Sequence, residues 1–143
     1  PMVHNILRIK SFQNIILILT GILVTFTTIA PIIAIVKETA TPTICCGEEM
    51  KQIDPSVEGS ENEEKHLPVV ECRKDSTIKV IVGSELHPMT EGHKIVFIYL
   101  ETTNGGQLAK LNPGSSPETT FHMCEGTPTA VYAYCNLHGL WHS

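Results

Sequence analysis

From Ile15 to Val36 the chain reads IILILTGILVTFTTIAPIIAIV, without one charged side chain. As a helix rising about 1.5 Å per residue, this run reaches roughly 30 Å, the thickness of a hydrocarbon core. A domain this small cannot cover a helix that is apolar on every side. The expectation is one N-terminal apolar transmembrane helix, a membrane anchor or signal-like segment over residues 1–40 that meets the membrane through residues 15–36. Arg8 and Lys10 precede the run, so the positive-inside tendency leaves the N-terminus in the cytoplasm and the remainder outside. Lys37 on the far side reduces that asymmetry, and a cytoplasmic placement stands as the alternative. A cleaved signal peptide is the runner-up, but the run is long for one and no small-x-small site precedes Lys37.

Beyond residue 40 the chain changes character. Arg8, Lys10, Lys37 and Glu38 are the only charged side chains before that point, and acids outnumber bases after it, for a net charge of -5. An acidic balance disfavours a nucleic-acid surface. Neither a Gly-rich phosphate loop nor a Gly-x-Ser-x-Gly elbow is present. Residues 47–65, GEEMKQIDPSVEGSENEEK, are acidic and poor in apolar side chains, and read as a linker. Then come short β-branched runs with Gly/Pro punctuation: VVEC, TIKVIVGS, KIVFIYLETT, a turn at NGG, QLAKLN, TTFHMC and TAVYAYC. These predict a mainly β fold, an antiparallel β-sandwich, with no helix of useful length after the N-terminal segment.

Seven histidines are present. His66 stands where the linker meets the first strand, His87 and His93 bracket the loop HPMTEGH, and His138 follows Cys135 in YCNLHGLWHS. A single loop histidine is usually solvent-exposed. These four, however, all fall in loops or at strand ends, which a sandwich gathers at one end. One thiolate with several imidazoles suits iron, copper or zinc. A zinc staple more often has paired cysteines, and blue copper needs only two histidines.

EKHLPV, GSELHPMTEGH and YCNLHGLW, in this order and with compatible spacing, resemble the iron-binding domain of the superoxide reductase family, the desulfoferrodoxins and neelaredoxins. The similarity runs from about Cys45 to Trp141. It implies an immunoglobulin-like β-sandwich over 65–143. It also implies one square-pyramidal iron, ferrous when active, with His66, His87, His93 and His138 equatorial and Cys135 axial. The implied reaction reduces superoxide to hydrogen peroxide, with rubredoxin or a similar protein as electron donor. Family members usually assemble as dimers or tetramers.

The same resemblance gives Lys65 the task of drawing superoxide in and ordering a proton-donating water, and Glu64 that of occupying the sixth position in the oxidised state. Read alone, both residues simply end an acidic linker. Two-iron relatives carry a rubredoxin-like module with Cys-x-x-Cys and a Cys-Cys pair. Here only Cys45 and Cys46 remain, so residues 41–64 read as a remnant of that module with a linker, and a single iron per chain is expected. That pair is either a relic or a site of pairing between chains. Cys72 and Cys124 read as small buried residues, and His4, His122 and His142 match no ligand position. Two other functions fit the residues: a membrane-tethered iron electron carrier without a substrate, and a non-catalytic metal-binding β-domain.

Overall fold

The computed structural model describes residues 8–11, 33–35, 41–45, 47–59, 61–73, 76–123 and 126–143. Contacts divide the chain into two compact units, Pro1–Asp54 and Pro55–Ser143. In the first, β1 (Arg8–Ser11) lies between β2 (Ile33–Ile35) and β5 (Lys51–Ile53), antiparallel to both. β3 (Ile44–Cys45) and β4 (Glu48–Glu49) form a separate hairpin.

This corrects the helical expectation where it can be compared. Arg8 and Lys10 are strand residues that pair with Ile35 and Ile33, the end of the apolar run. Isoleucine is stiff at χ1 and packs well on a pleated surface, so a strand with partners competes with a helix there. The rest of the run, residues 15–32 and Val36, lies outside the described residues. Among those described, no helix is long and apolar enough to cross a membrane.

The second unit opens with the one-turn helix α1 (Glu63–His66). Seven strands follow: β6 (Pro68–Cys72), β7 (Thr77–Val82), β8 (Ile95–Thr102), β9 (Gly105–Lys110), β10 (Glu118–His122), β11 (Pro128–Cys135) and β12 (Gly139–His142). They form two antiparallel sheets, β10-β7-β6 and β12-β11-β8-β9. The period of two in TIKVIV turns Ile78, Val80 and Val82 inward. With Phe121 they meet Ile98, Leu100, Val131 and Ala133 of the other sheet in one buried cluster.

A bulge adjusts that alternation at the end of the sheet that matters most. Tyr134 pairs with Phe97, but Cys135 pairs with Ile95, so Val96 is the extra residue. Its carbonyl accepts a hydrogen bond from Leu111 N–H at 3.0 Å instead. The slip resets the phase of β8, and Ile95 and Cys135 both enter the core with no exposed surface. At this same end β6 and β12 start, β7 and β11 finish, and α1 is attached.

Residues 47–65 are therefore not a plain linker: β4, β5 and the start of α1 lie within them. β4 pairs with the two-residue strand β3 in a short hairpin and β5 with the distant β1, pairings that local composition does not register. Cys72 is exposed rather than buried. It ends β6, an edge strand with β7 as its only ladder partner among the described residues, exposed from Val69 onward. Cys46 and Cys124 lie outside the described residues.

Gly83 seats α1 on the turn after β7. Its N–H donates to Leu67 O at 3.0 Å, and Glu85 N–H donates to Glu64 O at 2.9 Å. Gly83 has φ 84, and a Cβ there would collide with the Glu85 carbonyl oxygen and lie 2.7 Å from Lys65 O. Gly114 has φ 78 but nothing within 4 Å of the same position. Gly83→Ala is expected to cost more stability than Gly114→Ala, with the φ penalty alone worth about 1–3 kcal/mol. Equal urea midpoint shifts for the two variants would remove the close approach from the account.

Candidate metal centre

Five side chains converge at this end: His66 from α1, His87 and His93 from the β7–β8 loop, and Cys135 and His138 from the β11–β12 hairpin. One donor atom from each lies within 4.8 Å of all the others. The rings follow each other round a near-square. Centroids are 4.8 Å apart for His66–His87, 4.6 Å for His87–His93, 4.9 Å for His93–His138 and 4.6 Å for His138–His66. The diagonal His66–His93 is 6.4 Å. Neighbouring rings cross at 70°, 79°, 71° and 72°, so each presents an edge to the middle.

Local bonds set which nitrogen faces inward. His66 Nδ1–H donates to Asn62 O at 2.9 Å, and His87 Nδ1–H donates to Pro88 O at 2.6 Å. Each ring is thereby fixed in the tautomer whose Nε2 carries a lone pair. His87 Nε2 and His93 Nε2 are buried and have no hydrogen-bond partner among the described residues. His138 differs: its Nδ1 faces in, 2.9 Å from His66 Nε2 and 3.5 Å from Cys135 Sγ. Orphaned buried lone pairs are rare in folded proteins. Three Nε2, one Nδ1 and a sulfur, all aimed at one point, are the donor set of a borderline transition metal, and they fit iron.

Electrostatics keep the donors available. Burial pulls the His87 imidazole down to about 4; its bond to Pro88 works the other way, and the other three imidazoles add to the fall. His66 is lowered chiefly by burial, with His138 and His93 assisting against the Asn62 bond. His93 is lowered by burial and by His138. Burial pushes the Cys135 thiol up, and the backbone N–H groups of Leu137 and His138 partly offset this by bonding to its sulfur. The lowered His66, His87 and His93 favour the neutral form that a metal would bind, and Cys135 would bind it as the thiolate.

Glu64 and Lys65 are exposed on α1, directly before His66. Glu64 is not among the groups that converge. Trp141 stacks on the His66 ring, with centroids 4.8 Å apart and planes 15° apart, and its buried Nε1–H is unpartnered among the described residues. His122 is exposed on β10, His142 packs on Tyr132, and neither approaches the cluster. His4 lies outside the described residues.

Sequence reading overlooked the residues that hold the ligands in place. Carbonyl oxygens of Asn62 and Pro88 carry no signal in side-chain type. Asn136 lay inside the quoted CNLH, and an Asn in a turn is a recognised backbone mimic. Its side chain bonds across to Gly92 and Lys94.

Residues 58–143 match the desulfoferrodoxin family. A desulfoferrodoxin of Syntrophotalea carbinolica is 42% identical over 100 residues, covering 70% of this chain and 77% of its own length. A superoxide reductase of Pyrococcus horikoshii is 35% identical over 95 residues, 54% of this chain and 83% of that protein. The crystal structure of the superoxide reductase from Treponema pallidum superposes with a TM-score of 0.75 at 27% identity, across 98% of this chain and 99% of that one. The matched segment includes every residue of the imidazole square and its thiol, and the chain belongs to the desulfoferrodoxin family of superoxide reductases.

Proposed function

We propose that this chain is a superoxide reductase whose iron is held by His66, His87, His93 and His138 in a square and by Cys135 from the core side. The observation that carries this reading is the ring geometry: four edge-on imidazoles with inward lone pairs and a fully buried sulfur beside them. Iron bound there supplies one-electron chemistry, in which superoxide gains one electron and two protons to leave as hydrogen peroxide, and an outside reductant restores the ferrous state.

The protein's own contribution is charge, orientation and access. Neutral imidazoles add no negative charge, so Cys135 is the only anionic donor, and a small anion is the favoured visitor to the remaining face. The sulfur comes from the core, which leaves the opposite face toward solvent. Lys65, exposed beside His66, draws the anion in and orders a proton-donating water. Glu64 is assigned to the same face, as the carboxylate that caps it after turnover. The two antiparallel sheets around one core support an immunoglobulin-like sandwich. With this ligand set we assign one iron per chain, and by the family resemblance alone a rubredoxin-type donor and a dimeric or tetrameric assembly.

Cys135→Ser is expected to abolish the thiolate-to-iron charge-transfer absorption of the oxidised protein and most reductase activity. Metal analysis of wild type should give about one iron per chain, the number this ligand count allows. A variant that kept both band and activity would exclude sulfur ligation.

For Lys65→Ala, the bimolecular rate with superoxide should fall roughly ten-fold at low salt, and the deficit should shrink as ionic strength rises. Pulse radiolysis across a salt series measures this, and equal rates at low salt would take Lys65 out of the mechanism.

Acid should destabilise the iron-free protein. The lowered histidines bind protons less readily when folded than when unfolded, so the unfolded chain holds more protons below its ordinary pKa of about 6.5. Stability is complete above that pH and falls as pH drops toward about 4, the folded value of His87. Urea midpoints recorded from pH 8 to 4 should decline over this window, and a flat profile would mean that the imidazoles are not desolvated.

A further inference from the structure

Two of the four imidazoles are steadied through their rings, by the carbonyls of Asn62 and Pro88. Among the described residues no carbonyl holds the His93 ring, and the inner nitrogen of His138 is itself the donor. These two rings must be placed through their backbones. His93 sits in an irregular loop whose neighbours Glu91 and Gly92 are exposed. His138 is exposed in a hairpin closed by the Cys135–Gly139 pair, with Gly139 at φ 80. Neither segment has a ladder to hold it.

Asn136 joins them. Its backbone N–H donates to Lys94 O at 3.1 Å. Its side-chain Oδ1 accepts from Lys94 N–H at 2.7 Å, and Nδ2–H donates to Gly92 O at 2.9 Å. The residues on both sides of His93 are thus tied to one residue between Cys135 and His138. Thr90 completes the grip on His93: Thr90 N–H donates to His93 O at 2.9 Å, and His93 N–H donates to Thr90 Oγ1 at 3.1 Å. The amide is well suited to this, because one acceptor and one donor on a short planar group reproduce a rung of backbone ladder. Aspartate offers only the acceptor, and alanine neither.

We infer that Asn136 is a positioning residue for the metal centre, locking the His93 loop to the Cys135–His138 hairpin so that two imidazoles and the thiol move as one body before any metal arrives. The same turn supplies the N–H groups of Leu137 and His138 that bond to Cys135 Sγ. Asn136 therefore also governs how much electron density the sulfur passes to a bound metal, since hydrogen bonds to a ligating sulfur tune its metal. This inference rests on the iron reading above only for its second half; the clamp is a property of the metal-free chain.

The test uses the full-length chain, wild type, Asn136→Ala and Asn136→Asp. In the metal-free proteins, hydrogen exchange at the Lys94 amide should be at least about ten-fold faster in Asn136→Ala and close to wild type in Asn136→Asp, which keeps the Oδ acceptor. In ferrous-loaded protein, release of iron to a chelator should be about 10–100-fold faster in Asn136→Ala, the usual effect of losing an outer-shell partner, and intermediate in Asn136→Asp. The thiolate charge-transfer band of oxidised Asn136→Ala should be displaced, which a general loss of stability would not do. Unchanged Lys94 exchange, or faster exchange and release that merely track the global unfolding midpoint with the band unmoved, would overturn the inference. Should Asn136→Ala fail to fold, Asn136→Asp decides alone, because its loss of the Gly92 bond still predicts faster iron release. If wild type shows no charge-transfer band, the iron assignment fails while the Lys94 exchange still judges the clamp.

Discussion

The rung between Ile95 and Cys135 is the constraint on which the rest of the molecule turns. Without the bulge at Val96, the alternation of β8 would send Val96 inward and Ile95 out. With it, an apolar side chain backs the sulfur, and the sulfur stands at the top of a dry core. Everything else at that end is then referred to this fixed point. The hairpin after Cys135 brings His138 round to within 3.5 Å of the thiol. Asn136 ties the residues on either side of His93 to this hairpin, and α1 closes the square from the other sheet.

Four imidazoles packed edge to edge are costly to bury. Four lone-pair nitrogens face a small space, and the desolvation that lowers His66, His87 and His93 is the electrostatic sign of that. The fold tolerates it because the outer nitrogens of His66 and His87 are bonded to carbonyls and because the sheets beneath bury a continuous apolar cluster. These supports lie outside the five donors themselves, in backbone carbonyls and in the sheets beneath.

Much of this was legible in the sequence. Strands over TIKVIV, IVFIYLET and TAVYAYC announce themselves through β-branched and aromatic runs. The ligand set came from the resemblance carried by EKHLPV, GSELHPMTEGH and YCNLHGLW, since a loop histidine read alone is a weak signal. What escaped was non-local. β12 is only GLWH, with no alternation long enough to recognise, and it exists because β11 lies beside it. The bulge depends on the register between two strands, which neither strand encodes alone. The exposure of Cys72 follows from β6 lying at an edge, a fact of topology. The apolar run over Ile15–Val36 carried a helical expectation by length, yet Ile33–Ile35 pairs as a strand with β1, since length says nothing of available partners.

The donors also come from far apart along the chain: His66 and His138 are separated by 72 positions yet their nitrogens meet at 2.9 Å. No local segment gathers more than two of them. An ion encountering the unfolded polypeptide therefore finds nothing better than an isolated histidine pair or a Cys-x-x-His, and the loop-closure entropy of collecting all five falls on the sheets. Small zinc modules use their ion as a nucleus and are unfolded without it. Here the five donors are spread along the chain, so the pairing of the strands, rather than any one segment, brings the ligand set together.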